Sequence, residues 1–156
     1  MNPGNLQRLF DLNHQALHLN VEGLTDEEAL VQPRPAGNCL NWVVGHIVAS
    51  RNGVLEAMGQ EPIWPPEQAA PYKRHSAPIA RPRQGMPFHR ILADLDRSQE
   101  RIQSWLAAST EVDLTKPHGD KDTIGGWLAF LHFHEAYHVG QTGVLRRIAG
   151  REGAIR

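Results

Sequence analysis

Apolar positions in this chain recur at three-and-four spacing in four separate stretches and nowhere alternate over the length of a strand. Leu6, Leu9, Phe10, Leu17, Val21 and Leu24 mark the first helix, which Gly23 ends or interrupts. Thr25-Asp26-Glu27-Glu28 then reads as a capped turn, with Thr25 as N-cap and Glu28 in the capping-box position. After a loop containing Pro33, Pro35 and Gly37, Asn38 is placed to cap a second helix from about Leu40 to Met58, and Gly59 is its natural stop. That helix uses Leu40, Val43, Val44, Ile47, Val54 and Met58 as its apolar face. A third is predicted from about Phe88 to Ala107, on Phe88, Ile91, Leu92, Leu95, Ile102, Trp105 and Leu106. The fourth runs from about Thr123 to Ala149, with Ile124, Trp127, Leu128, Leu131, Leu145 and Ile148 apolar and Gly150 at its end.

Residues 59–87 differ in kind. Pro62, Pro65, Pro66, Pro71, Pro78, Pro82 and Pro87 fall there, a density that no regular helix or central strand survives. The segment is therefore expected to be a connection and not a second domain. Extended at ~3.3 Å per residue, it can span a ~30 Å helix and so join two helices that run parallel. The economical architecture is all-α: one domain over residues 1–156, a four-helix bundle with a long Pro-rich crossover between helices two and three.

Composition narrows the function classes. The 156 residues are 40% hydrophobic and 21% charged, the balance of a soluble globular protein with a real core. Net charge is −1 and the Lys and Arg are scattered, so there is no nucleic-acid footprint. No apolar run approaches the ~20 residues of a membrane helix. Met-Asn-Pro-Gly-Asn-Leu-Gln-Arg lacks a basic region followed by an apolar core, so no signal peptide is evident. A lone cysteine, Cys39, excludes an internal disulfide and suits a reducing compartment, which makes the cytoplasm the expected location.

The nine histidines carry the candidate chemistry. Residues 134–138 read His-Glu-Ala-Tyr-His, a literal H-E-x-x-H that puts His134 and His138 one helical turn apart, able to close on one divalent ion. Both fall on the apolar stripe of helix four, with Gln141 one turn further on. A third ligand is still required. His46, midway along helix two between the small residues Gly45 and Ala49, is the best candidate, although its context alone is more often that of a satisfied core or edge histidine. His14 and His18 share the i,i+4 spacing but lie beside the stripe of helix one, where they read as a partly exposed pair on a solvated flank. His132 is expected to be exposed; His75, His89 and His118 lie in loops or at a helix start. Cys39, at the start of helix two, is expected to be inert.

H-E-x-x-H is also the zinc-protease signature, with its glutamate as general base. The surroundings do not fit that chemistry. Val-Gly-Gln-Thr-Gly-Val follows the motif with no further histidine, Glu152 is the sole later glutamate, and no strand precedes the motif to hold a peptide substrate.

Asn-Cys-Leu-Asn-Trp-Val-Val-Gly-His-Ile (38–47), His-Glu-Ala-Tyr-His-Val-Gly-Gln (134–141) and Leu-Arg-Arg (145–147), in that order and spacing, resemble the DinB/YfiT-like family of metalloenzymes. The leading helix, the Leu-Thr-Asp-Glu-Glu turn and the Arg-Pro-Ala-Gly loop match as well, so the resemblance covers nearly the whole chain, least so the Pro-rich connection. It implies a four-helix bundle with a long link between the second and third helices, and a metal held by His46, His134 and His138. The family often has serine where Cys39 stands, so a hydroxyl N-cap is missing here. Relatives include thiol-dependent transferases and isomerases that use mycothiol, bacillithiol or similar cofactors. The resemblance therefore implies a divalent-metal-dependent enzyme (zinc, nickel, iron or manganese) that activates a thiol or water for attack on a small electrophile. It also implies a homodimer and a link to stress responses. A role for Glu135 as base or ligand support, and for Gln141 as a partner of ligand or substrate, stays open at this level. The alternative is a stress-related metal-binding bundle without catalysis.

Overall fold

The computed structural model describes residues 2–120 and 122–155. In chain order the helices are α1 (Pro3–Val21), α2 (Leu40–Ala57), the single turn α3 (Pro66–Ala69), α4 (Phe88–Ala108), the short α5 (Glu111–Thr115) and α6 (Ile124–Ile148). Two-residue strands β1 (Pro117–His118) and β2 (Asp122–Thr123) pair in antiparallel register between α5 and α6. The long helices start and stop where local chemistry dictates. Asn2 caps α1 by accepting the Gly4 N–H, with Pro3 at the first helical position, where its missing N–H costs nothing. Thr123 caps α6 through the Gly126 N–H. Gly59, at φ 70°, takes the left-handed conformation just after α2. Thr25 and Glu28 form the expected reciprocal box around a 3₁₀ turn, and Arg151 reaches across to both Glu28 oxygens.

One start differs from expectation. The cap position of α2 falls on Cys39, not Asn38, and its side chain makes no capping bond; the thiol instead donates to the Ile79 carbonyl at 3.1 Å. Burial pushes that thiol's pKa up, leaving it a protonated packing group.

α1 and α2 each pack against both α4 and α6, so α1 and α2 lie diagonally, as do α4 and α6. Asn41 meets Met86 while Arg51 meets Leu95 and Ser98, so α2 and α4 run parallel. His46 lies beside His138, and Trp127 bonds the Gly53 carbonyl, so α6 runs antiparallel to α2. The long crossover is thus topologically required. It is less irregular than its proline content suggests: it carries α3 and two 3₁₀ turns, and drops Trp64, Tyr72 and Ile79 into the core against α2. This cover explains why α2 is buried on nearly every side from Leu40 to Val48 except at His46.

The apolar core is split. Leu17, Val43, Ile47, Phe88, Ile91 and Leu145 belong to one cluster; Leu6, Phe10, Val54, Ile102, Leu106 and Leu128 belong to the other. Between them each long helix contributes a polar residue: His14 from α1, Arg51 from α2, Ser98 from α4 and Glu135 from α6. The buried stripe of α6 runs through Leu128, Leu131, Glu135, His138, Thr142 and Leu145. The expected stripe is therefore rotated: Glu135 occupies its centre, His134 moves to its half-buried flank, and Ile148 is exposed.

Candidate metal centre

His46, His134 and His138 converge. Their ligand-capable nitrogens all lie within 4.8 Å of one another, which makes this group able to hold a metal ion. Two of the three rings are oriented by hydrogen bonds to their surroundings. His46 Nδ1 lies 2.6 Å from the Tyr72 carbonyl, an acceptor only, so Nδ1 carries the proton and the Nε2 lone pair faces inward. His138 Nδ1 lies 2.7 Å from Gln141 Oε1, with the same consequence for its Nε2. Trp42 stacks on His46 at a centroid distance of 4.7 Å and an interplanar angle of 12°, and is itself held by a bond from its indole N–H to Ser76.

The donor geometry suits a first-row ion. His46 Nε2 and His134 Nε2 are 3.2 Å apart. Metal–nitrogen bonds of 2.0–2.1 Å in a tetrahedral site place ligand atoms ~3.3 Å apart. Burial lowers the pKa of all three rings, that of His138 to about 4, because charging an imidazole there forfeits hydration. Neutral imidazole is the form that ligates. His134 Nδ1 is buried without a hydrogen-bond partner among the described residues, so this ring has its Nε2 side as its only route to satisfaction.

Glu135 takes no part in this cluster. Its Oε2 accepts from Arg51 Nε at 2.8 Å and its Oε1 from Arg51 Nη2 at 2.9 Å, a bidentate pair with both side chains almost fully buried. Arg51 Nη1 donates further to the Leu95 carbonyl and Ser98 Oγ. With both oxygens committed, the motif's glutamate cannot serve as a general base. The motif is split between two jobs: two histidines at the cluster, and the glutamate in the polar layer beneath it.

A groove of about 480 Å³ opens beside His138, lined by Pro33, Asn38, Trp42, Tyr137, Gln141 and Val144 among others, with no charged side chain. Other histidines fall as follows. His132 is half-buried, not exposed, with its ring edge-on to Phe10. His14 is turned inward, while His18 is more open; both contact Asp96. Tyr72 and Ser76, which help position the triad, carry no periodic or motif signal in the sequence, whereas Trp42 falls inside the 38–47 motif.

The sequence profile of the DinB superfamily matches residues 9–142. The chain belongs to the DinB superfamily. A similar fold is seen in the crystal structure of a conserved protein from Enterococcus faecalis, with a TM-score of 0.73 at 18% identity over 96% of this chain and 98% of that one. No curated protein matches the chain. In this DinB-superfamily bundle no helix among the described residues is long and apolar enough to cross a membrane.

Gly45 shows how tightly the triad depends on the crossover. A Cβ there would lie 2.2 Å from the Tyr72 ring, so it is this ring, and not a neighbouring helix, that requires the glycine. Gly45→Ala is expected to destabilise by ~1–3 kcal/mol through overpacking. It should also weaken metal binding ~10–100-fold by displacing the carbonyl that orients His46. Urea unfolding with metal titration checks both; unchanged affinity would detach Tyr72 from the site.

Proposed function

We propose that this protein is a divalent-metal-dependent enzyme in which His46, His134 and His138 hold the ion and a thiol or water attacks a small electrophile. The observation that carries this reading is the convergence of three imidazoles, two of them held in one tautomer by hydrogen bonds, next to an uncharged groove. An ion bound there supplies Lewis acidity that ionises a water or thiol near neutral pH. The chain's own residues set the rest. Gln141 holds His138 in its tautomer, and Trp42 shields one face of His46. The apolar groove favours a substrate with a small uncharged body, and a low-molecular-weight thiol is a fitting co-substrate. Glu135 is withdrawn by Arg51, so no carboxylate lines the groove to act as base. Deprotonation of the nucleophile then rests on metal binding.

The same lack of an acid–base group supports a second reading, a metal-binding bundle without catalysis. Loading the metal-stripped protein with zinc, nickel, iron or manganese and screening low-molecular-weight thiols against small electrophiles separates the two. Turnover is expected with at least one metal, abolished in His138→Ala and largely kept in Glu135→Gln variants that remain folded. Stoichiometric metal without turnover for any pair would select the second reading.

Homodimer formation is the expected assembly. Phe130, Phe133, Tyr137 and Val144 form an exposed apolar stripe along the outer side of α6, with Phe133 67% exposed. Phe133→Asp should shift the protein to monomer in light scattering; an unchanged mass would place any interface elsewhere.

A further inference from the structure

We propose that His14, His18 and Asp96 form a second divalent-cation site, bridging α1 and α4 on the edge of the bundle opposite the triad. His14 and His18 stand one turn apart on α1 with ring centroids 4.5 Å apart. Both direct Nε2 at the same carboxylate oxygen of α4: His14 Nε2 lies 3.2 Å and His18 Nε2 2.7 Å from Asp96 Oδ1. All three ligand-capable atoms fall within 4.8 Å of one another. The 3.2 Å separation already matches the ~3.3 Å edge of a tetrahedral site with ligand bonds near 2.0 Å. The shorter one needs to open by roughly half an ångström. Exposure permits that: the His18 side chain is 39% and Asp96 48% exposed.

Two imidazoles and one carboxylate are a donor set for borderline first-row dications, with the remaining positions open to solvent. The arrangement is poorly explained as ion pairing alone. Two imidazoles converge on one carboxylate oxygen, where a single ion pair would use one, and His14 is half-buried. Its Nδ1 is buried and unpartnered among the described residues. Arg51, the buried cation of the polar layer, is held in its own pair with Glu135. An approach route exists, since a groove of about 570 Å³ lined by Gln15, His18, Leu19, Glu22 and Leu92 reaches His18 from solvent. The polar layer would then have a cation site at each end, the triad on α2 and α6 and this one on α1 and α4.

Zinc titration of the metal-stripped, untagged full chain by calorimetry, with elemental analysis after desalting, tests this site. Wild type should bind two ions per chain, and Asp96→Asn and His18→Ala, both altered at exposed side chains and checked for helicity, should bind one. Wild type binding one ion that both variants keep would overturn the proposal and leave the triad standing. Wild type binding one ion that both variants lose would support this site and remove the triad. Wild type binding none would overturn both.

Discussion

Arg51→Ala is expected to cost ~3–5 kcal/mol of folding stability, because it leaves the Glu135 carboxylate buried with no cation to face it. The Arg51 side chain is 1% and that of Glu135 4% exposed, so water cannot take over the role of the missing partner. Against a total of ~5–15 kcal/mol for a domain, this single change threatens the fold. Arg51→Lys should fall between, since one ammonium cannot supply the fork that serves Glu135, Leu95 and Ser98 together. The double replacement Arg51→Met with Glu135→Leu should recover most of the loss, because the layer lies between two apolar clusters that hydrophobic side chains would join. Urea denaturation of the four proteins checks the series. A double variant no more stable than Arg51→Ala would mean that the layer contributes through something other than the buried pair.

The second large effect falls on the triad. His138→Ala removes the ligand that Gln141 orients and should release the ion from that centre. A metal at ~100 times its Kd stabilises by ~2.7 kcal/mol, which for a chain of this size raises Tm by ~5–10 °C. That increment should disappear in His138→Ala and persist in Glu135→Gln, whose own loss of stability is independent of metal. Differential scanning calorimetry with and without chelator reads the difference. Equal metal-dependent shifts in both variants would contradict the separation of roles within the motif.

The helices were legible because the periodicity of each apolar face survives in the sequence; three-and-four spacing at Phe88, Ile91, Leu95 and Ile102 leaves little else to build. The i,i+4 pair His134 and His138 was equally plain. His46 became the third candidate ligand only through the family resemblance, since no spacing within one helix can state which residue of another lies opposite. Tyr72 and Ser76 were invisible, because the Pro-rich crossover has no period and its path over α2 is a tertiary fact; Trp42 lies within the 38–47 motif, but its stacking on His46 is not readable from it. Arg51 is readable in the sequence: it sits four residues after Ile47 and three before Val54, on the apolar face itself. Ser98, between Leu95 and Ile102, and His14, between Phe10 and Leu17, stand in the same relation to their helices. A lone polar residue on a core stripe needs a partner on another element. Four such positions at one depth mark the polar layer. The rotation of the α6 stripe follows from it, for once Arg51 is inside, Glu135 must face it.

Metal content tests the central point most directly. Untagged wild type, His138→Ala and Glu135→Gln, purified identically and confirmed folded, should differ in one respect. His138→Ala should carry one ion per chain fewer than wild type, while Glu135→Gln carries as many. Loss of metal in Glu135→Gln, or full metal content in His138→Ala, would contradict a triad that binds the ion while its neighbouring glutamate holds the bundle.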